Sequence, residues 1–102
     1  MVRNRIYLYS QPKGETGLKE LRVPTNVSLI KLENRGSGSV TASGTTERGE
    51  NAVFFPLGGV KVNDFSNTTS FAQGIYNIEV SGLDYVRFNL DSASDVYITL
   101  IG

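Results

Sequence analysis

Apolar and polar residues alternate with period two through most of this chain, and no segment keeps helical spacing beyond two turns. The alternation predicts short strands at residues 6–9, 18–23, 27–33, 39–43, 52–57, 60–62, 76–80, 86–90 and 96–100. Breakers separate them: Pro12 and Gly14, Pro24 to Asn26, Gly36 to Gly38, Gly58-Gly59, and Ser81-Gly82. Pro56 inside the most apolar run marks an edge or a strand end. Residues 44–51 are polar and predict a long exposed loop, and residues 63–70 are irregular.

The last third carries the cleanest pattern. Val86, Phe88 and Leu90 alternate with Arg87 and Asn89, and Val96, Ile98 and Leu100 alternate with Tyr97 and Thr99. A turn at Ser92-Ala93-Ser94 would pair Phe88 with Ile98, Val86 with Leu100 and Leu90 with Val96 on one face. Asn89 would then meet Tyr97, and Arg87 would meet Thr99, on the other. A second hairpin is expected between residues 27–33 and 39–43. The two hairpins echo one another: residues 30–42 align without gaps on residues 88–100, at an offset of 58. Upstream, Leu21 and Val23 match Ile78 and Val80 if one residue is skipped. The echo predicts two similar β halves in one sandwich.

Composition supports the strand reading. Val, Ile, Thr, Tyr and Phe make up 34 of 102 residues, whereas Ala appears only 4 times. Branched and aromatic side chains suit a pleated surface. The expectation is all-β: a single domain over 1–102, a β-sandwich or jelly roll of about eight short antiparallel strands, with a small open β-barrel as the alternative.

Chemistry is narrowed mainly by what the chain lacks. It has no Cys, His or Trp. Cys/His zinc sites, Cys nucleophiles, Ser-His-Asp triads and c-type haem attachment all need residues that are missing. Phosphate-loop, dinucleotide and nucleophile-elbow motifs do not occur, and the Gly clusters sit where a strand must turn. Asp91 and Asp95 flank the final turn with Asp84 nearby, but no calcium-loop spacing joins them. A general base near neutral pH would need a strongly shifted carboxylate or Lys. The reading is therefore non-enzymatic, without cofactor or metal.

Ten basic and ten acidic residues give no net charge, which disfavours nucleic acid as a partner. No run approaches the roughly 18 apolar residues of a membrane span. Met1 to Arg5 is basic, yet the apolar run behind it is too short for a signal peptide, so synthesis in a cytoplasm is expected. Asn26-Val27-Ser28 and Asn67-Thr68-Thr69 are then chance glycosylation patterns. Residues 1–50 carry net +3 and residues 51–102 net −3, from 8 basic against 5 acidic groups and 2 against 5. Arg3 and Arg5 could belong to an arm reaching a neighbour. Tyr7, Tyr9, Tyr85 and Tyr97 fall at strand positions, where exposed tyrosines anchor protein interfaces, cover a core or stack on sugars.

Residues 74–102, GIYNIEVSGLDYVRFNLDSASDVYITLIG, resemble the C-terminal part of small β-sandwich accessory virion proteins of tailed phages. The likeness lies in the strand Gly74, Tyr76, Ile78, Val80, Gly82, Leu83, then Tyr85-Val86-Arg87-Phe88, a Ser-rich turn, and a last strand ending Ile101-Gly102. It implies a capsid decoration, cement or head-fibre protein, made in the host cytoplasm and located in the virion. Its partners would be the major capsid protein or other virion proteins, and copies of itself, with a trimer favoured on an icosahedral lattice. The partner-binding candidates are Arg3, Arg5, Tyr7, Tyr9, Tyr85 and Tyr97. The alternative is a carbohydrate-binding or adhesin module, or a fibre or tail component.

Overall fold

A computed structural model describes the backbone of residues 3–8, 16–91 and 95–102, and the side chains of residues 20–90 and 95–102. Ten strands form among the described residues: β1 (Arg3–Leu8), β2 (Thr16–Arg22), β3 (Leu29–Asn34), β4 (Ser39–Thr45), β5 (Phe55–Leu57), β6 (Gly59–Lys61), β7 (Asn67–Thr68), β8 (Gly74–Glu79), β9 (Tyr85–Asp91) and β10 (Val96–Ile101). Two antiparallel sheets pack face to face. One has the order β1-β10-β3-β8-β6-β7 and the other β2-β9-β4-β5. The fold is a β-sandwich rather than an open barrel.

Its topology follows from nesting. β4 pairs with β5, β3 with β8, β2 with β9 and β1 with β10, so the chain is one long antiparallel ribbon doubled on itself. Wrapping that ribbon brings β3 against β10 and β4 against β9, which completes both sheets. This is the jelly-roll arrangement. The short strands β6 and β7 are inserted between β5 and β8 and widen one sheet through the pairs Val60↔Asn77 and Lys61↔Tyr76.

Both expected hairpins are corrected. β9 and β10 lie in different sheets, and so do β3 and β4. Phe88 therefore pairs with Ala42 and Lys19, not with Ile98, whose partners are Leu32 and Ile6. Strand alternation could not separate the two arrangements. An in-sheet hairpin and a cross-sheet arch both send Phe88 and Ile98 into the same core. The turn at residues 92–94 lies outside the described residues.

The internal echo, in contrast, has a structural counterpart. Ile30 pairs with Leu100 in one sheet. Shifting each by 58 gives Phe88 and Ala42, which pair in the other. β3 thus corresponds to β9 and β4 to β10, and each arch docks on its counterpart.

The core consists of alternate residues from both sheets. Ile30, Leu32, Ile78, Val96 and Ile98 face Val40, Val86, Phe88 and Leu90, all nearly inaccessible to water. Each such side chain contributes about 1.5–3 kcal/mol on burial. Phe71, from the link between β7 and β8, joins them; its backbone exchanges two hydrogen bonds with Val40, and its ring sits 4.9 Å from that of Tyr76. Asn34 fixes the first arch. Its amide donates to the carbonyls of Gly38 (3.2 Å) and Phe71 (3.1 Å), and its Oδ1 accepts from Gly36 N–H (3.1 Å). A buried polar residue satisfied this fully is structural. Pro56 lies on β5, an edge strand, where its missing N–H costs no ladder bond.

Candidate functional site

The outward-facing positions of the two sheets form two opposite surfaces, with Tyr97 on one and Tyr85 on the other. In β1, Arg3, Arg5 and Tyr7 register with Ile101, Thr99 and Tyr97 of β10. Across the same sheet Tyr97 registers with Glu33, and Glu33 with Ile75. Tyr7, Tyr97, Glu33 and Ile75 therefore form one transverse row. Tyr97 is half-buried, and the Arg35 guanidinium lies 4.5 Å over its ring. Arg35 Nε also donates to Glu33 at 2.6 Å, which raises the guanidinium pKa and keeps it charged. Tyr9 lies outside the described residues.

Tyr85 is on the opposite surface. It extends from β9 into the four-stranded sheet's outer face, lining an open depression of 310 Å³ with Glu20, Glu47, Glu50, Phe54 and Arg87. Tyr85 and Tyr97 thus belong to no common site.

The most organised group of side chains was missed by sequence reasoning. Arg87, beside Tyr85 on β9, donates from Nε to Glu20 of β2 at 2.7 Å. Its guanidinium carbon stands 3.8 Å from the centre of the Phe54 ring. The Phe54–Arg87 ridge separates that depression from another, of 330 Å³, lined also by Thr41, Ser43, Thr69 and Asn89. Register explains the grouping: Ser43 lies opposite Arg87, and Thr41 opposite Asn89. The polar segment 46–54 closes one side, held by Glu47, whose N–H donates to Thr45 Oγ1 and whose carboxylate accepts from Val53 N–H, both at 3.1 Å. The available signal was the doublet Phe54-Phe55, which strand alternation cannot bury entirely on one face.

Chemically, this surface offers hydrogen-bonding groups and two aromatic rings, those of Phe54 and Tyr85. Asp84 pairs with Arg48 at 3.3 Å, and among the described residues no three acidic groups gather where they could hold a metal ion. No helix of the described residues is long and apolar enough to cross a membrane.

No family model matches the chain, and no curated protein matches it in sequence. A solved structure does. The crystal structure of the SPBc2 prophage-derived protein YomS superimposes with a TM-score of 0.73, covering 100% of this chain and 96% of that one. The two share a fold. At 15% identity the side chains differ almost throughout, so the likeness carries the jelly roll and its length but assigns no residue a role.

Proposed function

We propose that this chain is a non-enzymatic structural protein of a tailed-phage particle, an auxiliary protein that decorates the outer surface of the capsid. The observation that carries the reading is the end-to-end likeness in fold to a prophage-derived protein. The resemblance of residues 74–102 to accessory virion proteins agrees with it. In this reading the outer face of the six-stranded sheet meets the shell, and the row through Tyr7 and Tyr97, with Arg3 and Arg5 along β1, supplies the contact. Tyrosine and arginine suit such a surface because each combines a broad apolar area with a polar end. Copies of the chain follow the shell's symmetry, three together.

Binding of the purified protein to particles lacking it tests this directly. Tyr7→Ala and Tyr97→Ala are expected to weaken binding while leaving the far-ultraviolet spectrum unchanged. Undiminished binding by both variants would remove this face from the contact.

A second reading, a carbohydrate-binding module, is favoured by one feature: the paired depressions beside Phe54 and Arg87, with polar side chains next to aromatic rings. It requires a sugar-dependent change in tyrosine fluorescence that is lost in Tyr85→Ala. A flat response across a broad sugar panel counts against it.

A further inference from the structure

The turn joining β6 to β7 holds a phenylalanine in a conformation and an environment that both disfavour it. Phe65 has φ of 59°, in the left-handed region, and 79% of its surface is exposed. A side chain of this size rarely adopts positive φ, because its β-carbon crowds the backbone. The turn nevertheless fixes it firmly. Phe65 N–H donates to Lys61 C=O at 2.7 Å, Lys61 N–H to Ser66 C=O at 2.8 Å, and both the N–H and hydroxyl of Ser66 donate to Asp64 Oδ1. The turn presents an aromatic ring to water on a strained support, and among the described residues no ring or cation covers it.

Next to this knob lies a depression. Lys61, Val62, Asn63, Gln73, Gly74 and Ile75 line an open hollow of 290 Å³. Val62 and Ile75, tied by a 2.9 Å backbone bond, leave 37% and 40% of their surfaces exposed at its apolar part. Gly74 keeps it clear, since a β-carbon there would stand 3.1 Å from Lys61 Cε. A phenyl ring fits with room to spare, because a cavity of about 150 Å³ already holds benzene. The same turn carries one cation, Lys61, and one anion, Asp64.

Knob, hollow, cation and anion within one patch make it complementary to itself, as a two-fold contact requires. We propose that the β6–β7 turn joins two copies of this chain across a two-fold axis. Phe65 of each copy enters the hollow beside Val62 and Ile75 of the other, with Lys61 of each facing Asp64 of the other. The charge balance favours a second copy over a foreign surface, which would need both charges in matching places. The inference does not rest on the capsid reading, although Ile75 ends the row that runs through Tyr97, so the contact would occupy the end of that face farthest from β1.

Sedimentation of the full chain over a wide concentration range tests the proposal. The expected result is a reversible monomer–dimer equilibrium that weakens with added salt. Phe65→Asn, whose side chain tolerates positive φ, should be monomeric at every concentration with an undiminished melting temperature. Ile75→Lys, which leaves the turn itself untouched, should be monomeric too. A wild-type chain that stays monomeric, assembles into another species, or dimerises as well with Phe65→Asn and Ile75→Lys as without them overturns the proposal.

Discussion

The outer face of the four-stranded sheet and the β6–β7 turn each display a phenylalanine, in opposite circumstances. Phe54 is half-buried, with the Arg87 guanidinium 3.8 Å from its ring centre and that guanidinium paired with Glu20. Phe65 is 79% exposed, on strained backbone. The energies at Phe54 are small: about 0.5–1 kcal/mol for an exposed cation–π contact and about 0.2–1 kcal/mol for an exposed ion pair. They are enough to give that ring a partner within its own chain. The difference is one of cover: among the described residues Arg87 lies over the Phe54 ring, whereas Phe65 stays 79% exposed. The Phe54 ridge is therefore mainly self-contained, whereas the β6–β7 turn is where the proposed contact between copies would form.

Both regions rest on one core. Phe88, fully buried on the strand that carries Arg87, tests this most severely. Phe88→Ala should cost about 3–5 kcal/mol, a large share of the roughly 5–15 kcal/mol available to such a domain. Urea unfolding would read it, and both regions should lose their structure in a single transition. Two separated transitions would mean that the regions are independently supported.

Gly59→Ala should separate them. A β-carbon there would lie 2.8 Å from a Phe71 ring carbon and 3.1 Å from the Asn77 carbonyl oxygen. β6 would have to move off β8, at a cost of about 1–3 kcal/mol. Hydrogen exchange should accelerate at residues 59–68 and stay slow along β9. Uniform acceleration would contradict the view that β6 and β7 are an appendage to the ribbon.

Arg87→Ala should cost about 1–2 kcal/mol at most, since it removes an exposed ion pair and an exposed cation–π contact together. Thermal melting would show it, and a loss several times larger would mean that the ridge is structural. The smallest effect is at Asp64. Two hydrogen bonds from Ser66 hold its carboxyl pKa below the ordinary value of 3.8. Because the folded value is depressed, the stabilisation is complete above pH 3.8 and is lost as pH falls through the lower, folded value. The Ser66 amide resonance should report that titration below pH 3.8; a midpoint above 3.8 would contradict the hydrogen bonding.

How much of this could be read in the sequence differs by level. Strand positions were legible because Val86, Phe88 and Leu90, or Val96, Ile98 and Leu100, alternate without interruption. The echo at offset 58 was legible for the same reason and corresponds to matched pairs in the two sheets. Partner choice was not legible, since parity records which face is buried and not which strand lies alongside. Tyr97 and Tyr85 are half-buried on outward positions, yet on opposite sheets, a separation that depends on the arches. Phe65 was passed over because residues 63–70 read as irregular. Its one signal was a large apolar residue in a polar turn, and its positive φ belongs to the folded chain alone.

If this jelly roll works by covering the shell of a particle, its copy number must match the shell. Quantitative mass spectrometry on purified particles from the source would measure this chain against the major shell protein. One copy per shell subunit or one per three is expected, as a lattice-wide decoration requires. A few copies per particle would place the chain at a neck, tail or fibre, and its absence from particles would contradict the claim outright.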